Sequence, residues 1–101
     1  MSNMKASLIM KIRSQISDAQ FSEYVVWEVP LAVDGSEHSY KYRFAFVLDG
    51  VCVVRYDNEI GKGDHRHFGN SEFDYVFKDI ETLVADFRAD IVRWKNENGN
   101  T

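Results

Sequence analysis

The stretch that decides the fold is residues 40–56, which read YKYRFAFVLDGVCVVRY. From Tyr40 to Leu48, aromatic and other apolar residues recur at every second position, and this is the period of a β-strand. Asp49-Gly50 is typical of a tight turn, and the β-branched run that follows leads back along the first strand. The stretch therefore predicts two antiparallel strands joined by a short hairpin.

The residues before this hairpin predict further strands. The run from Phe21 to Val29 is rich in β-branched and aromatic residues and stops at the single proline, Pro30. The apolar spacing of residues 8–16 fits both a helix and a strand. We favour a strand, because Ser-Asp-Ala-Gln at residues 17–20 has the composition of a hairpin turn.

The clearest helix lies near the C-terminus. Apolar residues recur there at three- and four-residue spacing: Ile80, Leu83, Val84, Phe87, Ile91 and Trp94. Asp79 can cap the first turn, because its side chain can accept from free backbone N–H groups. The expected fold is therefore α+β: an antiparallel β-meander of about four strands with a C-terminal α-helix packed on one face, forming a single domain over residues 1–101.

Length and composition limit the class of protein. A chain of 101 residues makes one domain, and 45% hydrophobic residues argue against disorder. The formal net charge is −4, so a nucleic-acid role would need a local basic patch. The single cysteine, Cys52, excludes an internal disulfide, and its apolar neighbours indicate a buried thiol. The apolar segment near the N-terminus is too short for a signal peptide or a membrane span, so we expect a cytoplasmic protein without a membrane partner.

The strongest chemical signal lies in residues 55–67, RYDNEIGKGDHRH. Glycine lets the backbone approach a ligand closely, and lysine and arginine supply fixed positive charge. Histidine transfers protons near neutral pH. A core segment has no use for this mixture, so we predict a catalytic or phosphate-binding loop over residues 61–67.

The residue types in this loop suit the cleavage of an RNA phosphodiester without a metal ion. His65 and His67 would act as acid and base, and Asp64 would orient a histidine. Arg66 would hold the phosphate together with Lys62 and stabilise its charge in the transition state. In an extended chain the two histidines would share one face, and Asp64 and Arg66 the other.

Other residues are expected to bind phosphate or to support the site. The phosphate-binding set comprises Lys62, Gly61, Gly63, Lys41, Arg43 and Arg55. The supporting set comprises Tyr56, Asp57 and Asn58. A histidine pair of this spacing can also ligate a metal with an aspartate as third ligand, although we assign no metal and no cofactor. An alternative is a surface turn with solvated histidines and an ion pair between Asp64 and Arg66.

The same stretch resembles the signature of a known family. Residues 56–67, YDNEIGKGDHRH, are similar to the motif YDN-x-x-GKGDHRH of the TumE family, small proteins classed as toxins of bacterial and archaeal toxin–antitoxin pairs. Shorter segments resemble other parts of that family: WEVP at 27–30, KYR at 41–43 and LVADF at 83–87. The resemblance extends from Lys5 to Trp94. Asp74 departs from it, since relatives often carry proline there, at a position that we predict to be a turn.

The resemblance implies the toxin component of a type II toxin–antitoxin pair. Its partner would be a DNA-binding antitoxin of helix-turn-helix type, encoded beside it. The resemblance implies no mechanism, so ribonuclease activity, or another attack on translation, rests on the residues alone, with RNA as the expected substrate. The alternative is a regulatory module that binds nucleic acid or the antitoxin without catalysis. The sequence leaves a homodimer open.

Overall fold

The computed structural model describes residues 5–99, which form one sheet and one helix. The elements are β1 (Ser7–Ser17), β2 (Gln20–Glu28), β3 (Tyr40–Leu48), β4 (Val51–Glu59), β5 (Gly63–Phe68), β6 (Ser71–Asp74) and α1 (Ile80–Glu97). The strands lie in chain order, and each is antiparallel to its neighbours. The predicted α+β meander with a C-terminal helix is confirmed. The number of strands is six rather than about four.

The two strands missing from the prediction come from the part of the chain that was expected to be a loop. Gly63–Phe68 forms β5 along the free edge of β4, and only residues 60–62 are turn. Gly69 has a positive φ of 61°, which suits a tight hairpin turn with Asn70 into β6. Asp74 therefore ends a strand and does not lie in a turn.

The N-terminal segment, for which the sequence left a helix and a strand open, is a strand. β1 pairs with β2 from Ser7 opposite Glu28 to Ser17 opposite Gln20. The expected hairpin turn over residues 17–20 is confirmed. Because β1 stands at the end of the strand order, it is an edge strand of the sheet.

α1 covers one face of the sheet. Its first turn is capped by Asp79, whose carboxylate accepts from the backbone N–H of Thr82. The buried cluster between helix and sheet contains Tyr24, Val26, Tyr42, Phe44, Phe46, Val54, Tyr56, Leu83, Phe87 and Ile91. Strand residues of the other parity point away from α1, and we call that side of the sheet the open face. The sheet therefore has one face that packs on α1 and an open face that points away from the helix.

The cysteine and the membrane prediction can be checked against the same fold. Cys52 is half-buried, and desolvation raises the pKa of its thiol. Within residues 5–99, α1 is not apolar enough to cross a membrane, and it is the one helix of that part of the chain.

Candidate functional site

Strand alternation divides the signature between the two faces of the sheet. The register of β4 and β5 puts two cross-strand pairs on the open face: Arg55 with His67 and Asp57 with His65. It puts two other pairs on the helix side: Tyr56 with Arg66 and Asn58 with Asp64. The histidines therefore share one face, as the sequence predicted for an extended chain. The four residues expected to be catalytic do not lie together.

His67 lies between a cation and a carboxylate. Its Nε2 is 2.9 Å from Nη2 of Arg55 and 3.5 Å from Oε2 of Glu72. Glu72 is its cross-strand neighbour on β6. An unprotonated Nε2 can accept from the guanidinium, which only donates, and a protonated Nε2 can donate to the carboxylate. Either protonation state of His67 therefore has a partner in place.

His65 is oriented by the backbone. Its Nδ1 is 3.1 Å from the carbonyl oxygen of Gly63. A carbonyl only accepts, so Nδ1 carries a proton and Nε2 faces outward. That Nε2 is 3.4 Å from Oδ1 of Asp74 and 4.0 Å from Oε2 of Glu72. The Cα atoms of residues 65 and 67 are about 6.6 Å apart on an extended strand, so both imidazoles lie beside the same carboxylates.

An arginine pair and a buried carboxylate border the two histidines. Nε of Arg55 is 3.2 Å from Oδ2 of Asp57, although its N–H does not point at that oxygen. Asp57 is buried, and its Oδ1 has no hydrogen-bond partner within residues 5–99. Arg43 stands opposite Asp57 on β3, with an exposed side chain. We call Arg55, Asp57, His65, His67, Glu72 and Asp74 the histidine cluster.

Arg66 belongs to the contact between β5 and α1. Its Nε donates to Oδ2 of Asp90 at 2.6 Å, and the hydroxyl of Tyr56 donates to the same oxygen at 2.7 Å. Burial lowers the pKa of Arg66, but the hydrogen bond and charge of Asp90 outweigh that effect and raise it. Burial, together with the hydrogen bond that its own hydroxyl donates to Asp90, raises the pKa of Tyr56. Arg66 therefore holds the helix on the sheet and points away from the histidine cluster.

The histidine that Asp64 contacts is His38, which lies outside the predicted loop. Oδ2 of Asp64 accepts from the Tyr42 hydroxyl and lies within hydrogen-bond reach of His38 Nε2, both at 2.7 Å. Its Oδ1 accepts from the Ser36 hydroxyl at 2.6 Å. Because Nδ1 of His38 accepts from the backbone N–H of Tyr40, the His38 proton lies on Nε2 and is donated to Asp64. This network fixes residues 36–38 against β5.

Asn58 and Lys41 join β3 to β4 where the ladder between them ends. The buried Asn58 accepts at Oδ1 from the backbone N–H of Tyr42, and it donates from Nδ2 to the carbonyl of Tyr40. Lys41 donates from Nζ to the carbonyl of Asn58 at 2.5 Å. Asn58 therefore ties the end of β4 to β3, and Lys41 already has a backbone partner.

The two glycines of the signature serve the packing of a turn. Gly61 donates its N–H to the carbonyl of Asp34 at 2.8 Å. A Cβ on Gly63 would lie 2.6 Å from the carbonyl oxygen of Gly35, and Gly63 has a φ of 75°. Lys62, between them, has its Nζ 3.8 Å from Oε2 of Glu72. The glycines bring residues 34–35 against the turn before β5, and Lys62 reaches the histidine cluster.

A cavity of about 350 Å³ lies beside the histidine cluster, bordered by the turn of residues 35–38 and the segment after β6. Its charged and aromatic lining includes His38, Lys62, Asp64, Asp74 and Phe77. Within residues 5–99, no group of three or more His, Cys, Asp or Glu side chains is arranged to hold a metal ion.

Two carboxylates of the histidine cluster and the side-chain partners of Arg66 and Asp64 were not predicted from the sequence. They are Glu72 and Asp74 in the cluster, Asp90 beside Arg66, and His38 and Ser36 beside Asp64. The signal for Glu72 and Asp74 was the Gly-Asn pair at residues 69–70. A two-residue turn there puts residue 72 opposite 67 and residue 74 opposite 65.

Comparisons with known proteins bear on the family of this chain. Comparison with curated proteins and with solved structures gave no match. A family model described as Toxin TumE matches residues 3–95 of the 101. That span contains the whole sheet and most of the helix, including every residue of the histidine cluster. The chain therefore belongs to the TumE family of toxins.

Proposed function

We propose that this toxin cleaves RNA without a metal ion and that the histidine cluster is its active site. The observation that carries the proposal is the position of His67 Nε2, 2.9 Å from Arg55 and 3.5 Å from Glu72. Because each protonation state already has a partner, the imidazole can gain and lose a proton with little rearrangement. A general acid–base catalyst needs this property.

The proposed reaction is an internal transfer within the RNA. His67 takes the proton of a 2′-hydroxyl, and the 2′-oxygen attacks the adjacent phosphorus. His65, protonated on both nitrogens, donates its Nε2 proton to the leaving 5′-oxygen as the phosphorus–oxygen bond breaks. The products are a 2′,3′-cyclic phosphate and a 5′-hydroxyl. Arg55 and Arg43 stabilise the negative charge on the phosphate, because guanidinium groups donate two parallel hydrogen bonds to it.

The phosphate has to displace the carboxylates that now lie beside the histidines. The Asp74 side chain is 96% exposed and that of Glu72 is 40% exposed. Because both carboxylates are open to solvent, water screens their attraction to the histidines, and a phosphate can take their place beside the two imidazoles. Both carboxylates lie on a short edge strand, and their side chains can turn towards solvent.

The reaction can be tested with a synthetic RNA oligonucleotide and purified protein in excess EDTA. We expect products ending in a 2′,3′-cyclic phosphate and a 5′-hydroxyl. His67→Ala should lower the rate at least about 100-fold, the range for loss of a general base. The matched control is the same oligonucleotide with a single 2′-deoxy substitution at the cleaved position, which should remain intact.

Two outcomes would contradict the proposal. Unchanged cleavage by the double variant His65→Ala/His67→Ala would remove the histidines from the mechanism. Activity that is lost in EDTA and restored by a divalent cation would make the protein a metal-dependent nuclease. In bacteria, expression of the chain alone should slow growth, and the double variant should relieve that effect.

A second candidate is a nucleic-acid-binding module without catalysis. It is favoured by the carboxylates that face Nε2 of both histidines, since such ion pairs can be structural. In that case Arg43→Ala and Arg55→Ala would weaken RNA binding. They would also reduce its salt dependence, because a protein that makes fewer phosphate contacts releases fewer counterions when it binds. Lys95→Ala, on the helix, would have little effect. Binding without product distinguishes this candidate from a ribonuclease.

As the toxin of a type II pair, the protein would act in the cytoplasm and require an antitoxin. We expect that antitoxin to be a helix-turn-helix DNA-binding protein encoded by the neighbouring reading frame. Co-expression should restore growth, and the two chains should copurify.

A further inference from the structure

The longest strand of the sheet has one side without a partner. β1 spans 11 residues and pairs with β2 on one side. Within residues 5–99, no segment pairs with its outer side. An edge of this kind presents backbone N–H and C=O groups that can bond to another chain. β6, at the other end of the sheet, has only four residues and offers a much shorter edge.

Edge strands usually carry charged residues or proline, which prevent pairing with another chain, but β1 exposes several apolar side chains. Leu8, Ile9, Ile12 and Ile16 are each 45–50% exposed. They alternate imperfectly, because a register shift lies between residues 8 and 10. Apolar exposure on a long edge strand indicates a surface that is covered when the protein is at work.

The charged residues of β1 itself all have the same sign. Residues 5–17 contain Lys5, Lys11 and Arg13 and no acidic residue, in a chain with a net charge of −4. Arg13 forms an exposed ion pair with Glu23 of β2, Nη1 to Oε2 at 3.4 Å, whereas within residues 5–99 Lys11 forms no ion pair with a carboxylate. An occupant of this edge should therefore carry negative charge.

A second copy of the chain does not meet that requirement. Antiparallel pairing of two β1 strands about Ile12 would put Lys11 of each copy opposite Arg13 of the other. Parallel pairing in register would put Lys11 beside Lys11. Other registers avoid these opposed pairs. Any pairing of two β1 strands still brings together two segments that each carry three cations and no acidic residue over residues 5–17, and this disfavours a second copy as the occupant.

We propose that β1 is the docking edge for an extended acidic segment of the antitoxin, which adds to the sheet as a seventh strand. Apolar residues of that segment would cover Ile12, and its carboxylates would lie opposite Lys11 and Arg13. This inference rests on the proposed antitoxin pairing and not on the proposed chemistry. β1 and β5 are about 19 Å apart, four strand spacings, so docking at β1 can be measured separately from RNA cleavage.

The edge can be tested first with a synthetic peptide. A blocked nine-residue peptide of alternating glutamate and valine should slow hydrogen exchange of β1 amides that are not bonded to β2. The matched controls are the same peptide with lysine for glutamate and one with alternate N-methylation, which removes the bonding N–H groups. Both should leave exchange unchanged. Equal effects of the acidic and basic peptides, or no slowing of β1 at millimolar peptide, would overturn the proposal.

The partner itself can be tested with variants of β1. The probe is the product of the neighbouring reading frame, with affinity measured on the intact chains. Lys11→Glu should weaken binding about tenfold or more, because it puts like charges across the new strand pair. Its matched control is Lys78→Glu, an exposed lysine before α1, which should bind normally. Ile12→Thr should also weaken binding, whereas Val51→Thr, at a strand residue that is more exposed than Ile12, should not.

The measurements separate the two proposals. Lys11→Glu should cleave RNA at the rate of the unmodified chain. Normal antitoxin binding by Lys11→Glu and Ile12→Thr would overturn the docking edge whatever the RNA assay shows. Absence of RNA cleavage with these binding losses intact would leave the docking edge standing and overturn the proposed chemistry. A dimer of the chain alone that Ile12→Thr disrupts would assign the edge to a second copy instead.

Discussion

The two sides of β5 differ in how firmly their side chains are held. On the helix side, Asp64 and Arg66 bond to side chains that are themselves largely buried, such as Asp90 at 12% exposure. On the open face, His65 and His67 face carboxylates that are 40–96% exposed. Adjacent residues of one signature thus have different physical tasks. Arg66 and Asp64 fix β5 from the helix side, whereas His65 and His67 lie beside exposed carboxylates, where we propose the chemistry takes place.

The largest expected effect is the loss of the buried ion pair on the helix side. Arg66→Ala leaves the Asp90 carboxylate with Tyr56 alone, and breaking such a pair should lower the free energy of unfolding by about 3 kcal/mol. Urea denaturation measures this. A change below about 0.5 kcal/mol would mean that Arg66 is not held by α1, and the contrast between the two sides of β5 would fail.

The second test concerns the two glycines before β5. Gly63→Ala should be less stable than Gly61→Ala by about 2 kcal/mol. Both residues have positive φ, so both lose glycine's freedom there, but only at Gly63 would a Cβ meet backbone, 2.6 Å from the oxygen of Gly35. Thermal denaturation of the two variants gives the difference. Equal stability would show that residues 34–35 do not pack on this turn.

A third test uses alkaline pH to probe the helix side. Burial, with hydrogen bonds to Asp90 and Asp64, raises the pKa of Tyr56 and Tyr42 above the usual value of 10. The unfolded chain loses these protons first as the pH rises through 10, so stability that is complete below that pH is lost above it. Each tyrosine contributes a slope of about 1.4 kcal/mol per pH unit.

The measurement for this test is the free energy of unfolding between about pH 10 and 11.5. Tyr56→Phe should reduce its slope by about 1.4 kcal/mol per pH unit, because the proton that the unfolded state releases is no longer present. An unchanged slope would mean that Tyr56 titrates alike in the folded and unfolded chains.

The smallest expected effect lies on the open face. His65→Ala and His67→Ala should each change the free energy of unfolding by no more than about 0.5 kcal/mol, because their partners are exposed. The matched control is His38→Ala, which removes a ring stacked 3.8 Å from Phe77 and leaves Asp64 without one of its donors. It should cost about 2 kcal/mol. If all three variants lose similar stability, the open-face histidines are structural and the ribonuclease proposal loses its basis.

Particular segments show how far the sequence could be interpreted. The alternation of residues 40–48, the Asp49-Gly50 turn and the apolar spacing of residues 80–94 predicted β3, its hairpin and α1 correctly, because each is a local pattern. Residues 61–67 were predicted as a loop because their composition is polar. They form a strand because the edge of β4 supplies backbone partners, and polar side chains are tolerated on an open face.

By itself, the sequence determined the α+β class, the meander, the capped helix and the family, since periods, turn residues and a contiguous signature are all readable along the chain. The shared face of His65 and His67 followed from the sequence only on the condition that the segment is extended, and the pairing of β5 with β4 meets that condition. Only the tertiary structure decided which partners the signature residues take. Asp90 lies 24 residues from Arg66, and His38 lies 26 residues from Asp64. Contacts over such separations depend on how the sheet and helix pack, and no local pattern specifies them.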